Sequence, residues 1–334
     1  MTLPKLDKPR IATWLRAWRS RGTVRPLLWD GGMGTGLTAR GLDLQSEPPE
    51  AWLLTRPEEV VAVHAEFAAA GADVLQTNSF GLVRLLMAPA GWPAALGPQP
   101  AITELVEKSV RLAQKGAALA HQALGSQDAA PEVIGCLGPT GRADGDEGLL
   151  AAAYAAVASA FFDAGIHVLH LETCLDPREL QIALRGIRSA APELDLLVSF
   201  TLSMGQSGPE TPLGTPLARM LRELDHHPTL PLLVGINCSQ PARRLHGAVA
   251  ALYQWAGAQL PILVQPQVGE PAPDCRHPAK PETPERFARD LLRLRDEGAA
   301  ALGGCCGARG EHLQAVRAAL DAESSAAAPA PIPV

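Results

Sequence analysis

Ala299-Ala300-Ala301-Leu302-Gly303-Gly304-Cys305-Cys306-Gly307 is a short apolar run that breaks into two glycines and two adjacent cysteines. It lies between a helix-like stretch over 284–297, opened by Pro284, and another over 311–320. Four apolar residues are too few for a helix and, with glycines directly behind them, suit a strand buried on both faces. The same unit recurs upstream. Strand-like runs fall at 26–29, 72–75, 132–134, 167–171, 194–200, 232–236, 261–264 and 299–302, and helix-like segments at 57–70, 103–122, 149–164, 179–190, 216–225, 243–257, 284–297 and 311–320. Eight strand–helix repeats are the sequence form of a (β/α)8 TIM barrel, an α/β fold whose strands are all parallel. A doubly wound open sheet is the second choice. Gly31-Gly32-Met33-Gly34-Thr35-Gly36 lacks the spacing of a dinucleotide-binding loop, and no acidic partner follows it, which argues against that fold's usual ligand.

Working outward, residues 26–321 are expected to form the barrel, residues 1–25 a helical extension, and residues 322–334, rich in Ser, Ala and Pro, a disordered tail. Ile11, Trp14, Leu15 and Trp18 recur at helical spacing with arginines opposite, as expected of a helix that plugs one end of the core, the alternative being a binder of anionic surfaces. Proline-rich stretches at 86–100 and 265–284 follow the second and seventh strands, where a barrel carries its binding loops. The net charge of −6 argues against a nucleic-acid binder, and no apolar run approaches the ~18–20 residues that span a membrane. The first residues show no secretory signal, and six cysteines in 334 residues suit a reducing cytoplasm in which thiols bind metal or react.

Residues just past each strand of such a barrel face one rim. Here they are Asp30-Gly31-Gly32, Gln76-Thr77-Asn78-Ser79, Gly135-Cys136-Leu137-Gly138-Pro139, Glu172-Thr173-Cys174, Ser199 and Thr201, Asn237-Cys238, Gln265-Pro266-Gln267 and Cys305-Cys306. Two carboxylates, Asp30 and Glu172, stand there without Lys or His. That set suits holding an ammonium group better than acid–base hydrolysis, while glycines and neutral donors suit a carboxylate; an amino acid is the natural occupant. Cys238, Cys305 and Cys306 at two strand exits point to zinc, with three protein ligands and an open position marking a catalytic site. Cys136 and Cys174 also sit at exits; they are read as packing residues, with either left open as the third ligand. Cys275 lies in a loop. A vicinal disulfide between Cys305 and Cys306 is set aside, and His167 and His170 are read as core residues. Asp30 as a turn former and Glu172 as half of an ion pair are the bland alternatives.

Asp30-Gly31-Gly32-Met33-Gly34-Thr35, Ala70-Gly71-Ala72-Asp73 followed by Gln76-Thr77-Asn78-Ser79-Phe80, Gly135-x-x-Gly138-Pro139, Glu172-Thr173, Gly235-Ile236-Asn237-Cys238 and Gly303-Gly304-Cys305-Cys306-Gly307 resemble, in order and spacing, the homocysteine S-methyltransferase family. The likeness covers about residues 26–320 and implies the barrel fold. It also implies that Cys238, Cys305 and Cys306 hold Zn2+ and that Asp30 and Glu172 hold the amino group of L-homocysteine. Gly31, Thr77, Asn78, Ser79 and Asn237, at the same exits, are the further expected substrate contacts. The expected reaction moves a methyl group from a small onium donor, S-methylmethionine, S-adenosylmethionine or betaine, to the zinc-bound thiolate, giving methionine. Only Phe80 is aromatic at the second exit, with Trp52 and Trp92 in loops, which argues against a cation–π cage for betaine. Met33-Gly34-Thr35, the stretch 52–58 and Asn78-Ser79-Phe80-Gly81 look closer to the homocysteine module of cobalamin-dependent methionine synthase. The alternative is therefore a homocysteine-activating subunit that takes its methyl group from methylcobalamin or a separate corrinoid protein. A catalytically silent zinc scaffold is a third reading, opposed by the two carboxylates.

Overall fold

The computed structural model describes residues 10–21, 25–88, 91–125, 130–142, 144–225, 229–238, 240–257, 259–271 and 278–326. Eight parallel strands, β1 Leu27–Leu28, β2 Val74–Gln76, β3 Glu132–Leu137, β4 Val168–Cys174, β5 Asp195–Phe200, β6 Leu233–Asn237, β7 Ile262–Gln265 and β8 Ala299–Leu302, pair in the order β1-β8-β7-β6-β5-β4-β3-β2. A parallel bridge between Trp29 and Val74, with Asp73 N donating to Leu28 O at 2.6 Å, joins the two ends. The sheet thus meets itself as a (β/α)8 barrel.

The helices are α1 Arg10–Arg21, α2 Met33–Thr38, α3 Trp52–Thr55, α4 Pro57–Ala69, α5 Leu82–Met87, α6 Ile102–Leu124, α7 Glu147–Asp163, α8 Pro177–Ala190, α9 Leu217–Asp225, α10 His246–Ala256, α11 Pro284–Asp296 and α12 Gly310–Ala326. Their starts follow local chemistry. The Asp146 and Asp176 carboxylates and the Thr283 hydroxyl accept from first-turn amides of α7, α8 and α11, and proline occupies an early position of α4, α8 and α11.

Each strand sends one apolar side chain to the barrel axis: Leu27, Val74, Ile134, Val168, Leu197, Leu233, Leu263 and Ala301, joined by Trp29. Ile11, Trp14 and Leu15 of α1 pack beneath this layer. The Ile11 amide donates to Glu132 Oε2 at 2.7 Å at the first residue of β3, so the helix plugs the N-terminal mouth as its spacing implies. A larger core fills the space between strands and outer helices.

The structure corrects the expected outline in three places. Strands β2, β3 and β4 run on through Gln76, Leu137 and Cys174, because backbone pairing continues past the apolar runs, as in the pairs Gln76–Ile134 and Cys136–His170. The loop after β7 contains an antiparallel pair, Glu270–Pro271 with Pro278–Lys280, while Cys275 lies outside the described residues. The stretch read as a tail from 322 begins as helix, since α12 reaches Ala326; residues 327–334 lie outside the described residues.

Candidate active site

Side chains alternate along a strand, so the positions two residues beyond the apolar layer face the same interior. They are Gln76, Cys136, His170, Ser199, Gly235, Gln265 and Gly303, followed by Glu172 and Asn237. Branched apolar residues normally fill a barrel here; this one turns polar towards its C-terminal rim. Glu172 is the hub. Its Oε1 accepts from the Cys136 thiol at 2.8 Å and lies 3.5 Å from Gln76 Nε2, and its Oε2 accepts from Asn237 Nδ2 at 3.1 Å. Gln265 Nε2 donates to Gln76 Oε1 at 2.9 Å, extending the set across the barrel. Burial pushes Glu172 up to about 7, and the Cys136 thiol pulls back by donating to it.

The sulfur atoms of Cys238, Cys305 and Cys306 lie within 4.8 Å of one another, with Cys238 and Cys306 at 3.5 Å. Tetrahedral zinc with bonds of about 2.3 Å separates its sulfur ligands by roughly 3.8 Å, so this spacing fits the ion. No disulfide ties them to one another. The backbone holds them from several sides. Cys238 N donates to Gln265 O at 2.9 Å, Cys305 N to Pro266 O at 2.9 Å, Val268 N to Cys306 O at 2.8 Å, and Gly307 N to Thr35 Oγ1 at 2.9 Å. The β1 exit is wedged against this turn: a Cβ on Gly32 would stand 2.6 Å from Cys305 O, and one on Gly31 2.6 Å from Ala308 O. Cys238 and Thr173 are the non-glycine residues with left-handed backbones among those described, at φ 61° and 60°. Such positions cost roughly 1–3 kcal/mol each and persist where the surroundings impose them.

Asp30 is 2 % exposed, and its Oδ2 accepts from Gln76 N at 2.7 Å; burial holds it well above the usual carboxylate range. The Thr77 and Ser79 hydroxyls bond each other at 2.6 Å, and Ser79 also donates to Cys136 O at 2.7 Å, stitching the β2 exit to β3. Asn78 Nδ2 donates to Pro49 O at 2.8 Å, tying that exit to the turn before α3. Asn237 is fully buried. Cys136 bonds Glu172 and Cys174 approaches Leu171 O at 3.7 Å, so neither joins the sulfur cluster. Phe80 lies part-exposed over Gly138, whereas Trp52 is buried with its Nε1 on Glu47 and Trp92 is buried too. Sequence reasoning did not assign Gln76 and Cys136 as partners of Glu172 or see the strain at Thr173; the two-residue period continued past each apolar run was the available signal for the first two.

The fold and site define an eight-stranded barrel whose C-terminal rim gathers three thiols with the spacing of a metal centre, one buried carboxylate, Asp30, and one partly buried, Glu172. Residues 27–320 match the family model described as homocysteine S-methyltransferase. The chain belongs to that family, a family of methyl-transferring enzymes. It is 31% identical over 312 residues to a homocysteine S-methyltransferase of Escherichia coli, covering 87% of this chain and 94% of that one. It is 27% identical over 311 residues to a methionine synthase of Mycobacterium tuberculosis, covering 89% of this chain but 25% of the relative, so it spans about a quarter of that protein's length. The crystal structure of the metallated form of the homocysteine methyltransferase MmuM from Escherichia coli superposes with a TM-score of 0.68 at 27% identity, over 91% of this chain and 99% of the other. Among the described residues, no helix is long and apolar enough to cross a membrane.

Proposed function

We propose that the barrel, residues 26–321, is a cytoplasmic zinc-dependent homocysteine S-methyltransferase that moves a methyl group from a small onium donor to the thiolate of L-homocysteine, giving methionine. The observation that carries the reading is the approach of Cys238, Cys305 and Cys306 sulfurs to within 4.8 Å of one another, with Glu172 in electrostatic reach of both Cys238 and Asp30. Cys238, Cys305 and Cys306 would hold Zn2+, which would lower the pKa of a fourth, substrate sulfur so that its proton is lost to water near neutral pH, where a free thiol of pKa about 8.5 is mostly protonated. Glu172 and Asp30 take the substrate ammonium, and the exits carrying Gly31, Thr77, Asn78 and Ser79 frame the rest of the amino acid. The substrate sulfur then attacks the methyl carbon in line. The new C–S bond forms as the donor's C–S+ or C–N+ bond breaks, and the donor leaves with the electron pair as a neutral sulfide or amine. No proton moves in this step, which is why a rim without Lys or His at its strand exits suffices.

The second reading, methyl transfer from methylcobalamin or a corrinoid protein, is favoured by the likeness to methionine synthase over 89% of the chain. A donor screen separates the two. With zinc-loaded protein and L-homocysteine, S-methylmethionine is expected to yield methionine, and C238S and C306S to lose zinc and turnover together. Methionine formed only with methylcobalamin or a corrinoid protein selects the second reading. Full turnover by a metal-free protein removes both.

A further inference from the structure

Three fully buried polar residues on neighbouring strands, His170 on β4, Ser199 on β5 and Asn237 on β6, stand in line behind Glu172. Proton counting gives the line a direction. The Thr173 amide donates to Asn237 Oδ1 at 2.9 Å, which fixes the oxygen of the side-chain amide on that side and turns Nδ2 to Glu172 Oε2 at 3.1 Å and Thr173 Oγ1 at 2.8 Å. Ser199 Oγ lies 2.8 Å from the same Oδ1, so its single proton points there. His170 Nε2, 2.9 Å from Ser199 Oγ, therefore carries the proton of that contact, leaving Nδ1 bare and without a partner. Burial lowers His170 to about 3, in keeping with a neutral ring.

We infer that His170, Ser199 and Asn237 are positioning residues: the chain His170 to Ser199 to Asn237 aims an N–H at Glu172 and holds Thr173 in its left-handed backbone, so that the carboxylate meets the substrate's ammonium at a fixed place, and Asn237 itself does not touch substrate. A barrel layer built for packing alone is filled by branched apolar side chains, whereas this one ends its donors on a carboxylate. Asn237, the last residue of β6, also precedes Cys238 and so ties that member of the sulfur cluster to Glu172 on β4. This inference rests on the proposed function above.

The test compares L-homocysteine with 4-mercaptobutanoate, which keeps the thiol and carboxylate but lacks the amine, as ligands of the zinc-loaded protein. S199A and H170L are expected to weaken L-homocysteine about tenfold, the loss of one buried hydrogen bond in a chain serving a charge, while leaving 4-mercaptobutanoate and zinc content unchanged. H170Q, which restores a donor near the place of Nε2, recovers most of the loss. In turnover, KM for homocysteine rises more than kcat falls. Equal weakening of both thiols, or H170Q no better than H170L, overturns the inference, because loosened packing has no reason to single out the amine. A wild-type protein that binds 4-mercaptobutanoate and L-homocysteine equally also overturns it. Zinc-loaded wild type that binds neither thiol overturns the functional reading and this inference with it.

Discussion

Gly32 shows how finely the sulfur site depends on residues that carry no chemistry. A methyl group at this position would lie 2.6 Å from the carbonyl oxygen of Cys305, a backbone atom that moves only if the Cys305-Cys306 turn moves. The Gly32 amide also donates to Ala308 O at 3.0 Å, closing the same turn from beyond the cysteines. Gly32→Ala is therefore expected to lower zinc affinity ten- to a hundredfold, the range typical of groups that orient ligands, while the barrel keeps its melting temperature within a few degrees. Competition with a chromophoric chelator measures the first and thermal melting the second; unchanged zinc affinity refutes the argument. The three cysteines were legible in the sequence because thiols directly behind apolar strands have few other places to be. The hydrogen bonds that Asn78 and Asn237 make were not. The first bonds a carbonyl 29 residues away and the second residues 38 and 64 away, distances over which sequence spacing carries no geometry.

Helices α4 and α6 approach closely at one point. A Cβ on Gly116 would stand 2.5 Å from the Cβ of His64, so the glycine lets the two helices meet, and both ring nitrogens of the fully buried His64 lack partners. Burial lowers this histidine to about 3. In the unfolded chain its pKa is about 6.5. Between those values the unfolded state binds a proton that the native state refuses, so stability is present above pH 6.5 and is lost as the pH falls towards 3. The slope reaches about 1.4 kcal/mol per pH unit for one such group. His64→Leu removes the group and two unpaired polar atoms. Urea unfolding at several pH values is expected to show higher stability at pH 5 and an acid-side slope reduced by up to about that amount; an unchanged slope refutes it. Elements of this kind were readable as helices from proline starts, caps and apolar spacing, and α4 and α6 fall within a few residues of the expected ends. The boundaries that failed, the ends of β2, β3 and β4 and the last turns of α12, lie where backbone pairing or helix continuation outlasts the apolar pattern.

Across the whole molecule the charge distribution favours a cation at the rim. The net charge is −6, and the strand exits carry Asp30 and Glu172 without Lys or Arg. Three arginines beyond these exits are engaged: Arg243 pairs with Glu270 and Glu282, Arg244 with Glu270 at 3.0 Å, and Arg178 with Glu147 at 2.9 Å. Three thiolates around one divalent ion, as proposed above, would add a further net negative charge to the centre. A cationic donor is therefore drawn to the mouth, whereas homocysteine, a zwitterion at neutral pH, gains little from the long-range field. Added salt separates the two, because the Debye length shrinks to about 10 Å at 0.1 M and the mouth's field fades beyond it. Raising salt from about 0.02 M to about 0.3 M is expected to raise KM for S-methylmethionine several-fold and to change KM for homocysteine far less, in steady-state assays with the other substrate saturating. Equal salt responses would mean that the carboxylates act on the bound amino acid alone and that the approach of the donor is governed by shape.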